Sequence, residues 1–429
     1  MTEAFLSYVW KLRLYNQNGL RTTTGEEVQI VSTGESHTSS GPDFFNAKIK
    51  IGDTLWAGNV EIHIKSSDWL KHQHQHDGAY QNIILHVVYE DDIPLINTAG
   101  SNIPTLELQK FLDPRLYRNY LLLLGNSRWI PCEKFFPQTD NFVLSNWLDR
   151  LLVERLEQKT LPIMQVLENN LHNWEETFYQ FLARSFGAKA NAEPFELLAK
   201  SLPSIILAKY KDKLFQLEAL LFGMSGLLNQ DFKDDYPVAL KKEFQFLQQK
   251  HQLKSLPGHL WKFGGLRPPN FPTIRLAQFA LMFHQSASGL FSHILEAETK
   301  EAYKNMLSVS ISGYWKNHYV FDKESKSSNK TLGNPTIYTI IINTIAPVLF
   351  VYGNARDIPE LKDKALQLLE QLPAETNHIV DHWKSLGVKT KSAHQTQALL
   401  QLFNEYCSRK RCLHCAIGSK LVRSNEIND

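Results

Sequence analysis

The chain has 429 residues, of which 43% are hydrophobic and 21% are charged, a composition typical of a soluble globular protein that excludes a disordered chain. A formal net charge of +2 does not by itself indicate a class of partner. The four cysteines are too few for a disulfide scaffold.

The first part of the chain predicts a small α/β domain. It starts without the basic region and apolar core of a secretory signal, so we expect a cytoplasmic protein. An apolar stripe with helical spacing covers residues 3 to 15. Alternating apolar residues then predict strands at 26–31, 45–51, 55–65, 82–89 and 103–108, with a tight turn at Gly52-Asp53 and a helix-like connector at 69–80.

The rest of the chain predicts a larger all-α domain. Helical spacing dominates from about residue 141 to 401, and 323–334 is expected to be an exposed loop. The longest apolar run, Ile337 to Tyr352, is short for a membrane span and predicts a buried core helix, with no membrane partner. We therefore expect domains at 1–125 and 126–400, followed by a cysteine-containing tail at 401–429.

A candidate site lies on two adjacent predicted strands. Glu61, His63 and Lys65 alternate along one strand and share its polar face. Asp43 opens the preceding strand, but a simple two-residue hairpin would turn it to the other face. An extra residue at Gly58 would place Asp43 opposite His63 and diagonal to Glu61. We therefore predict a bulge at Gly58 and a shared face for Asp43 and Glu61.

Two carboxylates on neighbouring strands can bind Mg²⁺ or Mn²⁺, which polarises a phosphoryl oxygen and activates a bound water molecule. A nitrogen base beside them can orient that water. The alternative from the spacing alone is an exposed strand face with chance charges, in which Pro42-Asp43 only starts a turn. Both alternatives stay open at this point.

The order helix, three strands, helix, strand, with Pro42-Asp43 and Glu61-Ile62-His63, resembles the PD-(D/E)XK nuclease superfamily. The resemblance implies a restriction-endonuclease-like mixed sheet flanked by helices, with Asp43 and Glu61 as ligands of the catalytic ion. His63 stands where the superfamily usually has lysine, so it would act as a water-orienting base and Lys65 would supply the cation. Some members carry a further acid at the position of Glu3. Over most of its length the chain also resembles an uncharacterised bacterial family with a long helical C-terminal region.

Three alternating histidines follow the candidate strand. His72, His74 and His76 have a spacing that can bind a transition metal, contact phosphate or decorate a polar connector. They are auxiliary candidates for the site. His86, inside an apolar strand, is interpreted as a core histidine.

The four cysteines form a second candidate metal site. Cys407, Cys412 and Cys415 have the spacing Cys-x4-Cys-x2-Cys, and Cys132 is the remaining cysteine. Four thiolates can bind zinc or an iron–sulfur cluster, and His414 could replace one thiolate in a zinc site. The alternative is a set of reduced thiols near a helix end.

These patterns lead to the hypothesis of a metal-dependent nuclease that hydrolyses phosphodiester bonds of DNA or RNA, with nucleic acid as its partner. The alternative is a catalytically inactive, nuclease-like module that binds nucleic acid or protein and is held together by a cysteine metal site.

Overall fold

The computed structural model describes residues 1–37, 40–96, 100–286 and 289–424. The chain divides into two compact units. One comprises Met1–Trp147 together with Phe403–Asp429, and the other comprises Leu148–Leu402. The first contains a mixed sheet and the second is largely helical, so the predicted fold class is confirmed.

The first unit begins with helix α1, Glu3–Lys11. The side chain of Thr2 caps this helix by accepting a hydrogen bond from the N–H of Phe5 at 3.3 Å. Its apolar side chains are buried, as the stripe in the sequence predicted. Helix α1 contacts the long strand that carries Glu61.

The sheet follows the order β1-β3-β4-β5-β6, with the short strand β2 paired to β3. Strand β3 is antiparallel to both of its neighbours, β1 and β4, whereas β4, β5 and β6 run parallel to one another. The parallel step from β4 to β5 requires a crossover, which helix α2 and two single 3-10 turns supply. The bounds are β1 Val28–Ser32, β2 Glu35–Ser36, β3 Phe44–Ile51, β4 Thr54–Lys65, α2 Asp68–Lys71, the turns His74–His76 and Gly78–Tyr80, β5 Ile83–Glu90, β6 Thr105–Glu107, α3 Pro114–Gly125 and the C-terminal helix Ala416–Val422.

The predicted bulge at Gly58 is wrong. The pairing of β3 with β4 shifts between Phe44 and Ala47, so the extra residue lies in β3, where Asn46 has a left-handed φ of 57°. Gly58 itself pairs with Ala47. Because Phe44 pairs with Val60, Asp43 lies level with Glu61 and not with His63. The extra residue in β3 still places the side chain of Asp43 on the same face of the sheet as Glu61. It lies in the other strand from the one predicted, and it shifts the pairing the other way.

Gly58 is a glycine because β5 comes too close to β4 for a side chain. A Cβ at position 58 would lie 2.4 Å from Ile84 Cγ2 and 2.8 Å from the carbonyl oxygen of Asn82. We expect Gly58→Ala to lower the free energy of unfolding by about 1–3 kcal/mol in urea denaturation, since overpacking forces the strands apart. Gly125→Ala is the matched control, because a Cβ there meets nothing within 4 Å. Equal stability of the two variants would contradict this explanation.

The second unit is built mainly from helices. The segment 323–334, predicted to be a loop, contains parts of two small two-stranded sheets instead. The bounds after α3 are α4 Asn141–Gln158, α5 Thr160–Asn169, α6 Trp174–Phe186, α7 Ala188–Ser201, α8 Ser204–Ala208, α9 Leu214–Met224, α10 Asp235–His251, α11 Pro272–Gln285, α12 Leu290–Glu296, α13 Lys300–Leu307, β7 Ser310–Ile311, β8 His318–Val320, β9 Lys323–Glu324, β10 Lys330–Thr331, α14 Asn334–Ile340, α15 Ala346–Ala355, α16 Pro359–Gln371, α17 His378–Ser385 and α18 Ala393–Gln401.

Helices α14 and α15 are joined by a π-helical turn, Ile341–Ile345, into one apolar run. This run, Asn334–Ala355, has 22 residues and a mean hydropathy of 1.6 in its most apolar window, so by length and composition it could cross a membrane. In the structure, however, 72% of that window is buried within the protein. Such burial is what the sequence predicted for a core helix.

Candidate metal centre

Two acidic side chains meet where β3 begins beside β4. The backbone N–H of Asp43 donates a hydrogen bond to Glu61 Oε2 at 3.1 Å. In return, the backbone N–H of Ile62 donates to Asp43 Oδ2 at 3.1 Å. Each carboxylate is therefore held by the backbone of the other strand. The structure brings together the acid pair that the sequence singled out.

Burial and like charge make both carboxyl groups difficult to ionise. Burial raises the pKa of Asp43 to about 6, although the hydrogen bond from Ile62 opposes this rise. Burial, followed by the charge of Asp43, raises the pKa of Glu61 to about 8. The charge of Glu3 on α1 contributes to both rises, so Glu3 is a third carboxyl close to the pair. A bound cation would offset the free-energy cost of ionising these carboxyl groups. Acids with such raised pKa values are typical of functional sites.

Three histidines cluster beside Glu61, and two of them approach its carboxylate. His63 Nε2 lies 3.1 Å from His72 Nδ1. Glu61 Oε1 lies 3.6 Å from His63 Nε2 and 3.4 Å from His74 Nε2. Over the described parts of the chain, these histidines are the one group of three or more His, Cys, Asp or Glu side chains whose ligand atoms all lie within 4.8 Å of one another. His63 is buried and His72 is exposed, so the group lies at the surface end of a buried cluster.

His86 supports the cluster from the neighbouring strand. It is fully buried in β5, pairs with Glu61 in the sheet register, and its Nε2 lies 2.8 Å from His63 Nδ1. Burial, followed by the charges of the neighbouring imidazoles, lowers the pKa of His63 and of His86 to about 3. Both rings are therefore neutral at physiological pH. A neutral His63 can ligate a metal through Nε2 while its Nδ1–H donates to His86.

The sequence interpretation of His86 as a core histidine missed this contact. The available signal was a histidine in an apolar strand that is parallel to, and in register with, the strand of Glu61 and His63. Aromatic rings also fix the imidazoles: Tyr80 stacks on His74 with ring centroids 3.9 Å apart, and Trp69 packs edge-on against His74 at 5.4 Å. The cluster is therefore held in place by packing as well as by hydrogen bonds.

Two predicted site residues lie outside this group. Lys65 ends β4, and its Nζ forms an ion pair with Glu90 Oε2 at 3.3 Å on the neighbouring strand. Its role as a transition-state cation stays a prediction. His76 is exposed and does not belong to the close histidine group. Of the three alternating histidines, the structure thus brings His72 and His74 to the site.

The four cysteines all lie in the first unit, where each is buried and free of disulfide bonds. His414, the predicted substitute ligand, is exposed. The basic residues between the cysteines have local partners: Arg409 pairs with Glu405, and Lys410 Nζ donates to the carbonyl oxygen of Leu124. The cysteines offer sulfur as the donor atom, whereas the cluster around Glu61 offers nitrogen and oxygen.

Comparison with known proteins gives a family but no activity. Residues 3–378 match the model of a family described as protein of unknown function (DUF2851). No curated protein matches the chain. No solved structure matches it either.

Proposed function

Because the chain belongs to the DUF2851 family, whose function is unknown, we propose its function from the geometry of its own site: a metal-dependent hydrolase that cleaves phosphodiester bonds of nucleic acids. The observation that carries this proposal is the convergence of Asp43 and Glu61 with three imidazoles on β4 and the connector that follows it. Hard carboxylate oxygens and neutral imidazole nitrogens together form a ligand set for a divalent ion.

Three separations between neighbouring donor atoms match those of ligands on one metal ion. A tetrahedral zinc site with bonds of about 2.0–2.1 Å separates its ligand atoms by about 3.3 Å. The separations here are 3.1 Å for His63 and His72, 3.6 Å for His63 and Glu61, and 3.4 Å for His74 and Glu61. Imidazole nitrogen favours Zn²⁺ over Mg²⁺, which prefers oxygen ligands, and Mn²⁺ tolerates a mixed set.

The geometry gives the residues different roles from those the motif implied. His63 is buried with both ring nitrogens close to other imidazoles, so we assign it as a ligand and not as a water-orienting base. We assign Glu61 as the carboxylate ligand, with His74 as its neighbouring ligand. Asp43 is less buried and lies beside it, where its carboxyl can bind the ion or accept a proton from a water molecule. A metal bound there would supply a nucleophilic water and polarise a phosphoryl oxygen.

The choice of phosphodiester substrates is supported by the order of the elements. Helix α1, strands β1, β3 and β4, helix α2 and strand β5 follow one another in the order implied by the PD-(D/E)XK resemblance. The two acids also occupy the motif positions, on adjacent antiparallel strands of a mixed sheet. Fold likeness alone does not establish an activity, so the substrate has to be tested directly.

A cleavage assay tests the proposal. Single- and double-stranded DNA and RNA are incubated with the full chain and Mg²⁺, Mn²⁺ or Zn²⁺. We expect cleavage with Mn²⁺ or Zn²⁺ and a loss of at least about 100-fold in Asp43→Ala and in Glu61→Ala, because each removes a carboxylate from the site. Glu90→Ala, which removes an exposed acid of the same sheet, is the control and should keep its rate.

Two results would contradict the hydrolase proposal. Cleavage that persists at the wild-type rate in both acid variants would show that the activity resides elsewhere. Metal-dependent binding of nucleic acid without cleavage of any substrate would favour the inactive binding module instead. Metal binding at this site can be measured separately from cleavage, whichever result is obtained.

A further inference from the structure

All four cysteines lie in the first unit, although Cys132 is far from the other three in sequence. Cys132 follows helix α3, whereas the others lie within the C-terminal segment 403–424. The Asn119 side chain on α3 donates to the carbonyl oxygens of Val422 at 3.1 Å and Ser424 at 2.9 Å. The rings of Trp129 and Phe403 stack with centroids 4.5 Å apart. Specific contacts therefore fasten the C-terminal segment to the region around Cys132.

The thiols are close enough to affect one another. Burial raises the pKa of Cys132 most, and the charges of Cys415 and Cys412 raise it further. Burial likewise raises the pKa of Cys407, followed by the charges of the other three cysteines. Each side chain is less than a tenth exposed. All four thiols are thus buried in the first unit, and none forms a disulfide.

The backbone around the last two cysteines is shaped for close approach. Cys412 starts a single 3-10 turn, and Cys415 directly precedes the C-terminal helix. A Cβ on Gly418 would lie 2.3 Å from the carbonyl oxygen of Cys412, so glycine is required for the helix to fold back against this turn. Hydrogen bonds from the backbone N–H groups of Ile417 and Gly418 oppose the burial that raises the pKa of Cys415. Such N–H groups also stabilise a metal-bound thiolate.

The distances between the sulfur atoms distinguish a zinc site from an iron–sulfur cluster. With zinc–sulfur bonds of about 2.3 Å, tetrahedral zinc holds its thiolates about 3.8 Å apart. Among the described residues, no three of the four cysteine sulfurs lie within 4.8 Å of one another. An iron–sulfur cluster holds its cysteines farther apart, because several iron ions lie between them.

We propose that Cys132, Cys407, Cys412 and Cys415 bind an iron–sulfur cluster. The cluster joins the loop after α3 to the C-terminal segment, which are the two parts of the chain that form the first unit. It is independent of the hydrolase proposal, because its thiolates belong to a different donor group from the histidines and carboxylates. Its presence is measured by metal content and spectroscopy without reference to activity.

The test starts from the full chain purified without oxygen. We expect iron and acid-labile sulfide in equal amounts, visible absorption that dithionite bleaches, and Mössbauer spectra of iron bound by sulfur. Cys412→Ser and Cys415→Ser should each lose most of the iron. Glu61→Gln serves as the matched control, because it alters the other donor group and should retain the iron in full.

Two outcomes would overturn the cluster. Wild-type protein that contains zinc and no iron, with the zinc lost in the cysteine variants, would show a mononuclear thiolate site instead. Wild-type protein with four thiols that titrate freely and no bound metal would show a set of reduced cysteines. Should the serine variants fail to fold, the Mössbauer and sulfide measurements on the wild type still decide the question.

Discussion

Glu61→Gln is expected to abolish tight metal binding and, in the metal-free protein, to raise the free energy of unfolding at pH 8. Glutamine keeps the carbonyl oxygen that accepts the hydrogen bond from Asp43 but removes the buried charge. The wild-type carboxyl has a pKa raised from 4.5 to about 8. Between these two values the folded state binds more protons than the unfolded state, so the free energy of unfolding falls as the pH rises.

The sign of this effect fixes the pH window. Below about pH 4.5 the carboxyl is protonated in both states, and the substitution should change stability little. Above about pH 8 the full penalty is present, on the order of a few kcal/mol. The buried imidazoles act in the opposite sense: with pKa values of about 3 they bind fewer protons than in the unfolded chain, so they destabilise the fold as the pH falls below 6.5.

Urea denaturation with EDTA at several pH values between 5 and 8.5 measures this prediction. The stability of Glu61→Gln relative to the wild type should rise steadily across the range. Glu90→Gln is the control, because that acid is about half exposed and paired with Lys65. A parallel pH profile for both variants would mean that Glu61 carries no ionisation penalty in the folded protein. Added Zn²⁺ should stabilise the wild type and leave Glu61→Gln unaffected.

Periodicity located the strands because apolar residues are concentrated in them and turn residues lie between them. The predicted strands at 45–51, 55–65 and 82–89 match β3, β4 and β5 to within one residue at each end. The position of the bulge was not predictable in the same way. Glycine at position 58 suggested extra backbone freedom, whereas its actual cause is the close approach of Ile84 on a strand that pairs only through a crossover.

The sequence predicted only those parts of the site that depend on local strand pairing. Asp43 and Glu61 lie on strands joined by a two-residue turn, so their proximity follows from local pairing. The roles of His72 and His74 depend on how α2 and the following 3-10 turn fold back over β4, which periodicity does not specify. The contact of His86 with His63 depends on the parallel register of β5, a non-local property.

His72→Ala and His74→Ala are each expected to weaken Zn²⁺ or Mn²⁺ binding by at least about 100-fold. Loss of an outer-shell partner already costs 10–100-fold, and these side chains supply donor atoms themselves. His76→Ala is the matched control, since this exposed histidine follows in the same turn but lies outside the close group. Competition with a fluorescent chelator measures the three affinities. Equal affinities would exclude the histidine group as the metal ligands.

The number of protons released on binding identifies the groups that respond to the metal. The pKa of His63 is lowered to about 3 and that of His74 is also lowered, so metal binding near pH 7 displaces few protons from these two imidazoles. The carboxyl of Glu61, with its pKa of about 8, must lose a proton for the metal to bind, and affinity should therefore rise between pH 6 and pH 8. Calorimetric titration in two buffers of different ionisation enthalpy counts these protons. Release that is present below about pH 8, declines above it and persists in His74→Ala at saturating metal would assign the proton to the glutamate; release that does not change with pH would refute this assignment.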